Sequence, residues 1–416
     1  MNPEIFKKLV NIRHLSRELR NSSLQARQTV LESLLGLLNT EAAAILAANT
    51  EDLDALDSKT TSSFRDRLTL NPERLRGMVD SLEKVRALPD PLGEVADERR
   101  LSNGLLLKRV RAPLGVILMV FEARPNVIIE AFSLAIKSGN ALIMRGGAES
   151  SRSARVLYDL IHQSLKSAGL AQECFWGITD PDRALTQLLM KQDRYIDVLV
   201  PRGGDSLIDY VKRNATMPII KNDRGLCHVY LHQDADPIMS VAIVNNAKTS
   251  RPGVCNSMET LLVHEKQKAL IPKIFEAMQT KNVEWFVCPE TMKLLTGRQS
   301  VQPAMPENYG TEYLDLKINC RIVASLDEAV DHIETYGSRH SETIVTASEA
   351  DARKFQTSVD AAVVYWNAST RFTDGFEFGL GGELGISTQK LHVRGPVGLK
   401  ELTSLRWIAD GNGQIR

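Results

Sequence analysis

The chain has 416 residues, of which 43% are hydrophobic and 25% charged, as is ordinary for a soluble globular protein. Because this length exceeds what one hydrophobic core usually supports, it predicts two domains with smaller additions. The 51 basic and 51 acidic side chains cancel, which disfavours general nucleic-acid binding and favours a small partner.

The cysteines, the first residues and the apolar runs together indicate the compartment. The five cysteines are odd in number and contain no CxxC pair, which argues against a disulfide framework and a structural zinc site. The opening "MNPEIFKKLVNIRHLSREL" lacks the apolar block of a signal peptide. No apolar run approaches the roughly 20 residues that cross a bilayer. We therefore expect a cytoplasmic protein with reduced thiols and no membrane partner.

Helices are predicted for the first hundred residues, followed by a hairpin. The stretch "SSLQARQTVLESLLGLLNTEAAAILAANTEDLDAL" repeats apolar residues at spacings of three and four, and "NPERLRGMVDSLEKVRAL" does the same. In "ERRLSNGLLLKRVRAP" the pair Asn103-Gly104 separates two extended runs, which is a strong hairpin signal. Since this hairpin is polar, we expect it to project from the body and pair with something else, such as another subunit.

From Pro113 onward the pattern predicts a parallel sheet. The continuous apolar run "GVILMVF" is typical of a strand buried on both faces. A helix through "NVIIEAFSLAIKSG" follows and is expected to end at Gly139. The strand "ALIM", the helix in "SARVLYDLIHQSLKSAG" and the strand "YIDVLV" continue the alternation. Strands and helices joined by short links define an α/β fold with helices on both faces of the sheet.

A second α/β unit is predicted to begin near "LCHVYLH", with a domain boundary near Gly225. It contains the strand "ETLLVHE" and the helix in "QKALIPKIFEAMQTK". In "SLDEAVDHIETYG" we expect a capping box between Ser325 and Glu328 and a helix end at Gly337.

Three polar turns, "FEARPN", "MRGGAES" and "VPRGGDS", follow predicted strands of the first sheet. Ligands of open parallel sheets lie beyond the carboxyl ends of the strands. Glycine allows the backbone to approach a ligand closely, and Arg145 and Arg202 add charge that suits a phosphate. The turns therefore suggest a phosphate-bearing cofactor. Glycine-rich turns are also common plain connectors, and neither the P-loop nor the G-x-G-x-x-G motif is present.

One cysteine lies in a segment that is built to bend. In "SRPGVCNSMET", Pro252 and Gly253 exclude regular structure just before Cys255. The other four cysteines lie in apolar, strand-like text, where burial is expected. Cys255 is therefore a candidate nucleophile, although a loop thiol can also be incidental.

The residues available to assist this thiol limit the reactions that it could catalyse. A cysteine hydrolase would need a histidine and an acid within reach. The chain offers His228, His340 and His392, none with a diagnostic local signature, and no HExxH motif or Cys/His cluster predicts a metal. What remains is a cysteine that forms a thioester and presents it to a hydride-donating cofactor.

Six blocks carry a resemblance to a known family. They are "PLGVILMVFEARPNV", "KSGNALIMRGGAES", "YIDVLVPRGG", "SRPGVCNSMETLLVH", "NASTRFTDGFEFGLGGELGISTQKLHVRGP" and "LTSLRW". Together they resemble gamma-glutamyl phosphate reductase, also called glutamate-5-semialdehyde dehydrogenase, a branch of the aldehyde dehydrogenase superfamily. The resemblance implies an α/β fold with a Rossmann-like cofactor domain, a catalytic α/β domain and a bridging element. The expected domains are 1–98 and 113–224 for the cofactor, with 376–395 returning to it, 225–375 for catalysis, and 99–112 with 396–416 for bridging and oligomerisation.

The resemblance also implies an activity and a reacting centre. The family reduces L-glutamyl 5-phosphate with NADPH and releases phosphate and L-glutamate 5-semialdehyde, the second step of proline biosynthesis. Cys255 matches the nucleophile of the family. Asn126 matches the asparagine whose side-chain amide, with the backbone N–H of Cys255, holds the developing oxyanion. No metal is implied.

Further residues match binding positions. Arg145 lies where many aldehyde dehydrogenases have a ribose-contacting lysine, and an arginine there should favour the 2′-phosphate of NADPH. The cofactor-binding positions expected from the resemblance are Arg145, Gly146, Gly147, Arg202, Gly203, Gly204 and Glu312. The positions expected to bind the substrate are Arg124, Ser369, Thr370 and Arg371, and the assignment of the last three to the α-carboxylate end depends on chemistry more than on motif.

One departure from the superfamily bears on the reaction. Hydrolytic aldehyde dehydrogenases have a glutamate that activates water in the stretch matching "KNDRGLCHVY", and this chain has none there. A thioester should therefore survive until hydride arrives. Members of this branch often have glycines where the chain has Lys221, Asn222, Asp223 and Arg224, which leaves phosphate contacts there open.

Alternatives and partners complete the expectations. A phosphorylating or CoA-acylating aldehyde dehydrogenase for another small acid would keep Cys255 with a different tail pocket. A cysteine hydrolase or a non-enzymatic subunit with this fold are the remaining alternatives. The resemblance and the hairpin favour a homo-oligomer, and the labile substrate suggests functional coupling to glutamate 5-kinase.

Overall fold

The structure is a computed structural model that describes residues 2–122, 124–180, 182–221 and 224–416. The described helices are α1 (Pro3–Arg20), α2 (Leu24–Thr40), α3 (Ala42–Asp54), α4 (Ser62–Leu68), α5 (Pro72–Ala87), α6 (Asn126–Lys137), α7 (Ser151–Ser167), α8 (Arg183–Leu189), α9 (Asp205–Asn214), α10 (Pro237–Thr249), α11 (Ile271–Met278), α12 (Pro289–Leu294), α13 (Pro306–Tyr309), α14 (Leu326–Tyr336) and α15 (Glu349–Ser358). The described strands are β1 (Val95–Arg100), β2 (Leu106–Pro113), β3 (Val116–Phe121), β4 (Ala141–Arg145), β5 (Phe175–Ile178), β6 (Val198–Arg202), β7 (Cys227–Leu231), β8 (Met258–His264), β9 (Glu284–Val287), β10 (Val301–Pro303), β11 (Lys317–Val323), β12 (Ser341–Val345), β13 (Val363–Trp366), β14 (Ile386–Ser387), β15 (Gly395–Pro396) and β16 (Thr403–Asp410).

Contacts group the described residues into two compact units. The first unit contains the described residues up to Lys221, together with Gly379–Gly385 and Val397–Arg416. The second unit contains residues 224–378 and Ile386–Pro396. The segment 376–395, expected to return to the cofactor domain, is thus divided between the units. The roles of the units in cofactor binding and catalysis stay predictions.

The N-terminal helices of the first unit form as the apolar spacing predicts. Helix α2 buries Val30, Leu31, Leu34 and Leu38 along one stripe. Among the described residues, no single helix has the length and apolarity to span a membrane, and α2 with α3 qualifies only as a pair bent by 69°.

The first unit contains a four-stranded parallel sheet in the order β5-β4-β3-β6. Strand β3 is buried along its whole length, as predicted from its continuous apolar run. Helix α6 ends as expected at Gly139, which takes φ +72°. The N–H groups of Gly139 and Asn140 donate to the carbonyls of Ile136 and Ala135, the paired bonds of a Schellman end.

The second unit is built on a seven-stranded sheet in the order β10-β9-β11-β8-β7-β12-β13, with parallel pairing throughout. Alternate residues of β7 and β8 enter different cores, because successive side chains of a strand point to opposite faces. Val229 and Leu261 pack in one core with Trp285, whereas Tyr230 and Leu262 pack in the other. The α/β prediction is confirmed for both units.

The expected capping box at α14 forms in altered form. The Ser325 hydroxyl accepts from the N–H of Glu328 at 3.1 Å, as predicted. The Glu328 carboxylate reaches back to the N–H of Ala324 at 2.7 Å, one residue before the cap. It also accepts from Arg321 at 3.0 Å, so the guanidinium shares this carboxylate with the helix start. The helix ends at Gly337, as expected.

The predicted hairpin is present and is joined by the C-terminal strand. Strands β1 and β2 pair antiparallel, and β16 pairs with the other side of β2 in a three-stranded sheet. Gly104 takes φ +87° in the turn, a conformation that glycine adopts without strain. Its N–H donates to the carbonyl of Leu101 at 2.9 Å. Strand β1 is exposed along its whole length.

Candidate active site

The strand order of the first unit marks a candidate ligand position at the carboxyl end of β3. From β3 the chain adds β4 and β5 on one side and then places β6 on the other. Ligands of open α/β sheets bind where the strand order reverses in this way. The ends of β3 and β6 are in register, with Phe121 opposite Arg202. The N–H of Glu122 donates to the carbonyl of Arg202 at 3.0 Å.

The turn after β6 is packed tightly against Glu122. A Cβ on Gly203 would lie 2.7 Å from the Glu122 carboxyl carbon and 2.8 Å from Leu207. The N–H of Gly204 donates to the Glu122 carboxylate at 3.0 Å, just before α9 begins. Glu122 was not predicted as a site residue, because its partner lies 82 residues away in sequence. The backbone N–H of Gly204, a predicted cofactor-binding residue, is thus already engaged with a carboxylate.

The turn after β4 brings Arg145, Gly146 and Gly147 to the same edge of the sheet. Arg145 is half-buried at the end of β4, which is the neighbour of β3. A Cβ on Gly146 would lie 2.9 Å from the ring of Phe121, so this glycine allows the turn to pack against the end of β3. The Arg145 guanidinium also lies close enough to Tyr158 to oppose the rise in the pKa of that phenol caused by burial.

The "FEARPN" turn places two more predicted residues at the carboxyl end of β3. Arg124 is half-buried in the turn, and Asn126 is the first residue of α6 with an exposed side chain. Ala123 between them and β3 lies outside the described residues. The first unit therefore gathers Arg124, Asn126, Arg145 and the Arg202 turn at one edge of its sheet.

In the second unit, Cys255 lies in an irregular turn between α10 and β8. It is partly exposed, whereas Cys174, Cys227, Cys288 and Cys320 are buried, as the sequence predicts. Burial raises the pKa of Cys174 to about 12 and raises those of Cys227 and Cys320 as well. A thiol with a raised pKa is a poor nucleophile at neutral pH. Cys255 is thus the one cysteine of the five that is not buried.

The backbone of Cys255 is held from one side by the segment that leads into β7. A Cβ on Gly225 would lie only 1.5 Å from the carbonyl oxygen of Cys255, so the two backbones are in direct contact. The thiol of Cys227 donates to the same oxygen at 3.2 Å and lies 3.6 Å from Nδ1 of His340. Cys227 therefore does more than fill space, a role that the apolar text around it did not reveal.

The other side of the cysteine turn is joined to residues 369–373. The Thr370 hydroxyl donates to the Asn256 carbonyl at 2.7 Å, and the Asn256 amide donates to the Thr373 carbonyl at 2.8 Å. Nε of Arg371 donates to the hydroxyl of Ser250 at 3.2 Å. Burial and the neighbouring Arg251 guanidinium lower the pKa of Arg371.

These contacts separate the roles open to the predicted substrate residues. Thr370 is fully buried, and the Ser369 hydroxyl accepts from the N–H of Arg371 at 3.3 Å. Both side chains hold the turn in place. Arg371 is half-buried beside the cysteine turn, so its charge is the group of this segment best placed to meet an anionic substrate.

Glu312 belongs to the same neighbourhood. Its carboxylate accepts from the N–H of Gly225 at 2.7 Å, the glycine that touches the Cys255 carbonyl. Glu312, which is predicted to bind the cofactor, and the predicted nucleophile are thus linked through one glycine. Of the adjoining "KNDRGLCHVY" stretch, Asn222 and Asp223 lie outside the described residues.

Two of the three histidines considered for a hydrolase are engaged with other side chains of the second unit. Nδ1 of His228 lies 2.9 Å from the Glu342 carboxylate, and both side chains are fully buried. Nδ1 of His340 lies 2.8 Å from the Ser341 hydroxyl. Within the described part of the chain, no group of three His, Cys, Asp or Glu residues could hold a metal ion.

Comparison with known proteins shows which proteins share this fold and this sequence. No family model matches the chain. An acetylating aldehyde dehydrogenase from Geobacillus thermoglucosidasius shares the fold, with a TM-score of 0.69 at 16% identity over 100% of both chains. The crystal structure of gamma-glutamyl phosphate reductase from Thermotoga maritima gives a TM-score of 0.95 at 39% identity, covering 99% of this chain and 100% of that one. Gamma-glutamyl phosphate reductase from Clostridium kluyveri is 47% identical over 414 residues, or 99% of this chain and 98% of that protein.

The fold is therefore that of the aldehyde dehydrogenase-like proteins, as expected from the sequence. Within that class, the chain belongs to the gamma-glutamyl phosphate reductase family.

Proposed function

We propose that the protein reduces L-glutamyl 5-phosphate with NADPH to L-glutamate 5-semialdehyde and phosphate, through a thioester at Cys255. This is the second step of proline biosynthesis from glutamate. The observation that carries the proposal is the partly exposed Cys255 in a turn held on one side by the backbone of Gly225 and on the other by the Thr370 hydroxyl. The relatives are named gamma-glutamyl phosphate reductase, and this name supports L-glutamyl 5-phosphate as the substrate.

The residues at the sheet edge of the first unit suit a dinucleotide. The reversal of strand order marks the edge where an open sheet binds its ligand, and glycine turns at that edge permit a close backbone approach. Arg145 would hold the 2′-phosphate and Arg202 the pyrophosphate, since a guanidinium fork matches phosphate oxygens. Gly146, Gly147, Gly203 and Gly204 would line that approach, and Glu312 of the second unit would accept from the nicotinamide ribose. A reduced nicotinamide, when bound, supplies the hydride.

The first chemical step belongs to Cys255. Its thiolate attacks the acyl carbon, the bond from that carbon to the phosphate oxygen breaks, and phosphate leaves with the electron pair. The amide of Asn126 and the backbone N–H of Cys255 would stabilise the oxyanion, with about 3 kcal/mol from each preorganised donor. After hydride addition to the thioester carbon, the carbon–sulfur bond breaks, its electron pair returns to sulfur, and the aldehyde is released.

The polar end of the substrate would be held by the cations around these elements. Arg371 is half-buried beside the cysteine turn, and Arg124 is half-buried at the start of α6. A carboxylate pairs with arginine through two parallel hydrogen bonds. We assign these two side chains, with the turn formed by Ser369 and Thr370, to the α-carboxylate end.

Replacement of the nucleophile tests the proposal. Cys255→Ala should bind NADPH, seen as a fluorescence change, but lose turnover of glutamate semialdehyde with phosphate and NADP. Cys288→Ala removes a buried thiol elsewhere in the second unit and should keep its activity. Substantial turnover by Cys255→Ala would remove the covalent step.

The same assay separates the alternatives. A CoA-acylating enzyme would require CoA in place of phosphate, a cysteine hydrolase would act without nicotinamide, and a non-enzymatic subunit would turn nothing over. Self-association through the hairpin of β1 and β2 and coupling to glutamate 5-kinase are further proposals. Sedimentation of the purified protein, alone and with the kinase, tests both.

A further inference from the structure

A buried ion pair closes the base of the cysteine turn. Lys248 lies in the last turn of α10, and Glu259 is the second residue of β8. Nζ of Lys248 donates to Oε2 of Glu259 at 3.0 Å, and the two side chains are 0% and 1% exposed. The eleven-residue separation of the pair brackets Cys255. The end of α10 and the start of β8, which flank the cysteine turn, are thus joined by one charged contact.

The second oxygen of Glu259 contacts a different segment. Its Oε1 accepts from the N–H of Leu314 at 3.3 Å. Leu314 takes φ +51°, a conformation that costs free energy for a residue with a side chain. Two residues earlier, Glu312 accepts from the N–H of Gly225 at 2.7 Å. One carboxylate therefore holds the cysteine turn with one oxygen and the Glu312 segment with the other.

A purely stabilising role explains this arrangement poorly. The desolvation of two charges costs free energy that their attraction only partly returns, and apolar pairs of similar size often stabilise as well or better. Burial raises the pKa of Glu259 and lowers that of Lys248, because the site opposes either charge. An ion pair placed there fixes geometry, because charge-assisted hydrogen bonds are short and directional.

We propose that Lys248 and Glu259 form a positioning pair that fixes the Cys255 turn and the Glu312 segment relative to each other. A change in the pair then alters both the reactivity of Cys255 and the affinity for NADPH. The part that concerns NADPH rests on the function proposed above for Glu312. The part that concerns the thiol does not rest on that function, since it follows from the contact between Lys248 and Glu259 on either side of the turn.

Three variants separate positioning from stability. Glu259→Gln leaves Lys248 buried without a counter-charge, and Lys248→Met with Glu259→Leu removes both charges together with the acceptor for Leu314. The apolar double variant should regain thermal stability, because it buries no charge. Glu259→Asp keeps the charge on a shorter side chain, and the same measurements on it decide the question should the double variant fail to fold.

The measurements are the rate of Cys255 alkylation by iodoacetamide without cofactor and the Kd for NADPH from a fluorescence titration. We expect all three variants to alkylate more slowly and to bind NADPH more weakly, each by about tenfold, since contacts within one network couple by factors of this order. Asp90→Asn is the matched control. It breaks the pair of Asp90 with the buried Arg27 in the first unit and should lower stability without changing either quantity.

The outcomes are distinct. The proposal is overturned if the double variant keeps the wild-type alkylation rate and the wild-type Kd for NADPH. If the double variant does not fold, the same result in Glu259→Asp overturns it. Equal changes in Asp90→Asn would also overturn it, since they would show a general effect of lost stability. A wild-type protein that binds no NADPH would contradict the proposed function, whereas the alkylation rates would still decide whether the pair positions Cys255.

Discussion

Replacement of Gly225 by alanine tests how closely the cysteine turn must be held. The added Cβ would lie 1.5 Å from the Cys255 carbonyl oxygen, 2.4 Å from its carbon and 2.7 Å from Cα. These are backbone atoms, so no side-chain rotation relieves the clash. A carbon and an oxygen need about 3 Å or more, so the two segments must separate by about 1.5 Å. A misplacement of about 1 Å in an active site can cost about a hundredfold in rate.

We therefore expect Gly225→Ala to lose at least about a hundredfold in kcat and to alkylate Cys255 abnormally. The reaction is followed by the absorbance of reduced nicotinamide, with glutamate semialdehyde, phosphate and NADP as substrates. Gly253→Ala is the matched control in the same turn, because its Cβ would meet only the Leu314 carbonyl at an ordinary 3.7 Å. It should stay within about twofold of wild type, since an ordinary contact requires no movement. Wild-type kcat and alkylation in Gly225→Ala would refute the reasoning.

Two further predictions concern charge. Arg145→Gln should raise the KM for NADPH by at least about tenfold, because one charge-assisted hydrogen bond is lost, and should leave the KM for NADH within about twofold of wild type. Equal increases in KM for both cofactors would contradict the assignment of Arg145 to the 2′-phosphate. Burial, with His228 and Arg321 nearby, lowers the pKa of His332 to about 2, so below pH about 6.5 the unfolded chain binds a proton that the folded chain refuses. The free energy of unfolding, measured with urea, should therefore decrease between pH 6 and pH 5 by about 1 kcal/mol more in wild type than in His332→Phe. An identical pH dependence in the two proteins would show that the His332 imidazole is not held neutral.

The sequence predicts central strands such as β3 and β8 well because they are buried on both faces. The continuous apolar run of β3 leaves few alternatives to a buried strand of a parallel sheet, and the structure buries β3 completely. The cysteine turn was also predictable, since Pro252 and Gly253 exclude a helix or strand there. Burial of the other four cysteines follows from their apolar neighbours.

The contacts that complete the candidate site were beyond sequence reasoning for a physical reason. They join residues that only strand register brings together, such as Cys227 to Cys255 across 28 residues and Glu122 to Gly204 across 82. Local patterns carry no record of such pairs. The capping box at Ser325 shows the same limit, because a nearby guanidinium altered half of it.

A direct search for the acyl group on sulfur tests the central claim. The protein is incubated with glutamate, ATP and glutamate 5-kinase in the absence of reduced nicotinamide, quenched in acid and digested. Mass spectrometry should find one glutamyl group on the peptide that contains Cys255, and its addition should disappear when NADPH is present. An unmodified Cys255 peptide from protein that turns over under the same conditions with NADPH would contradict the account.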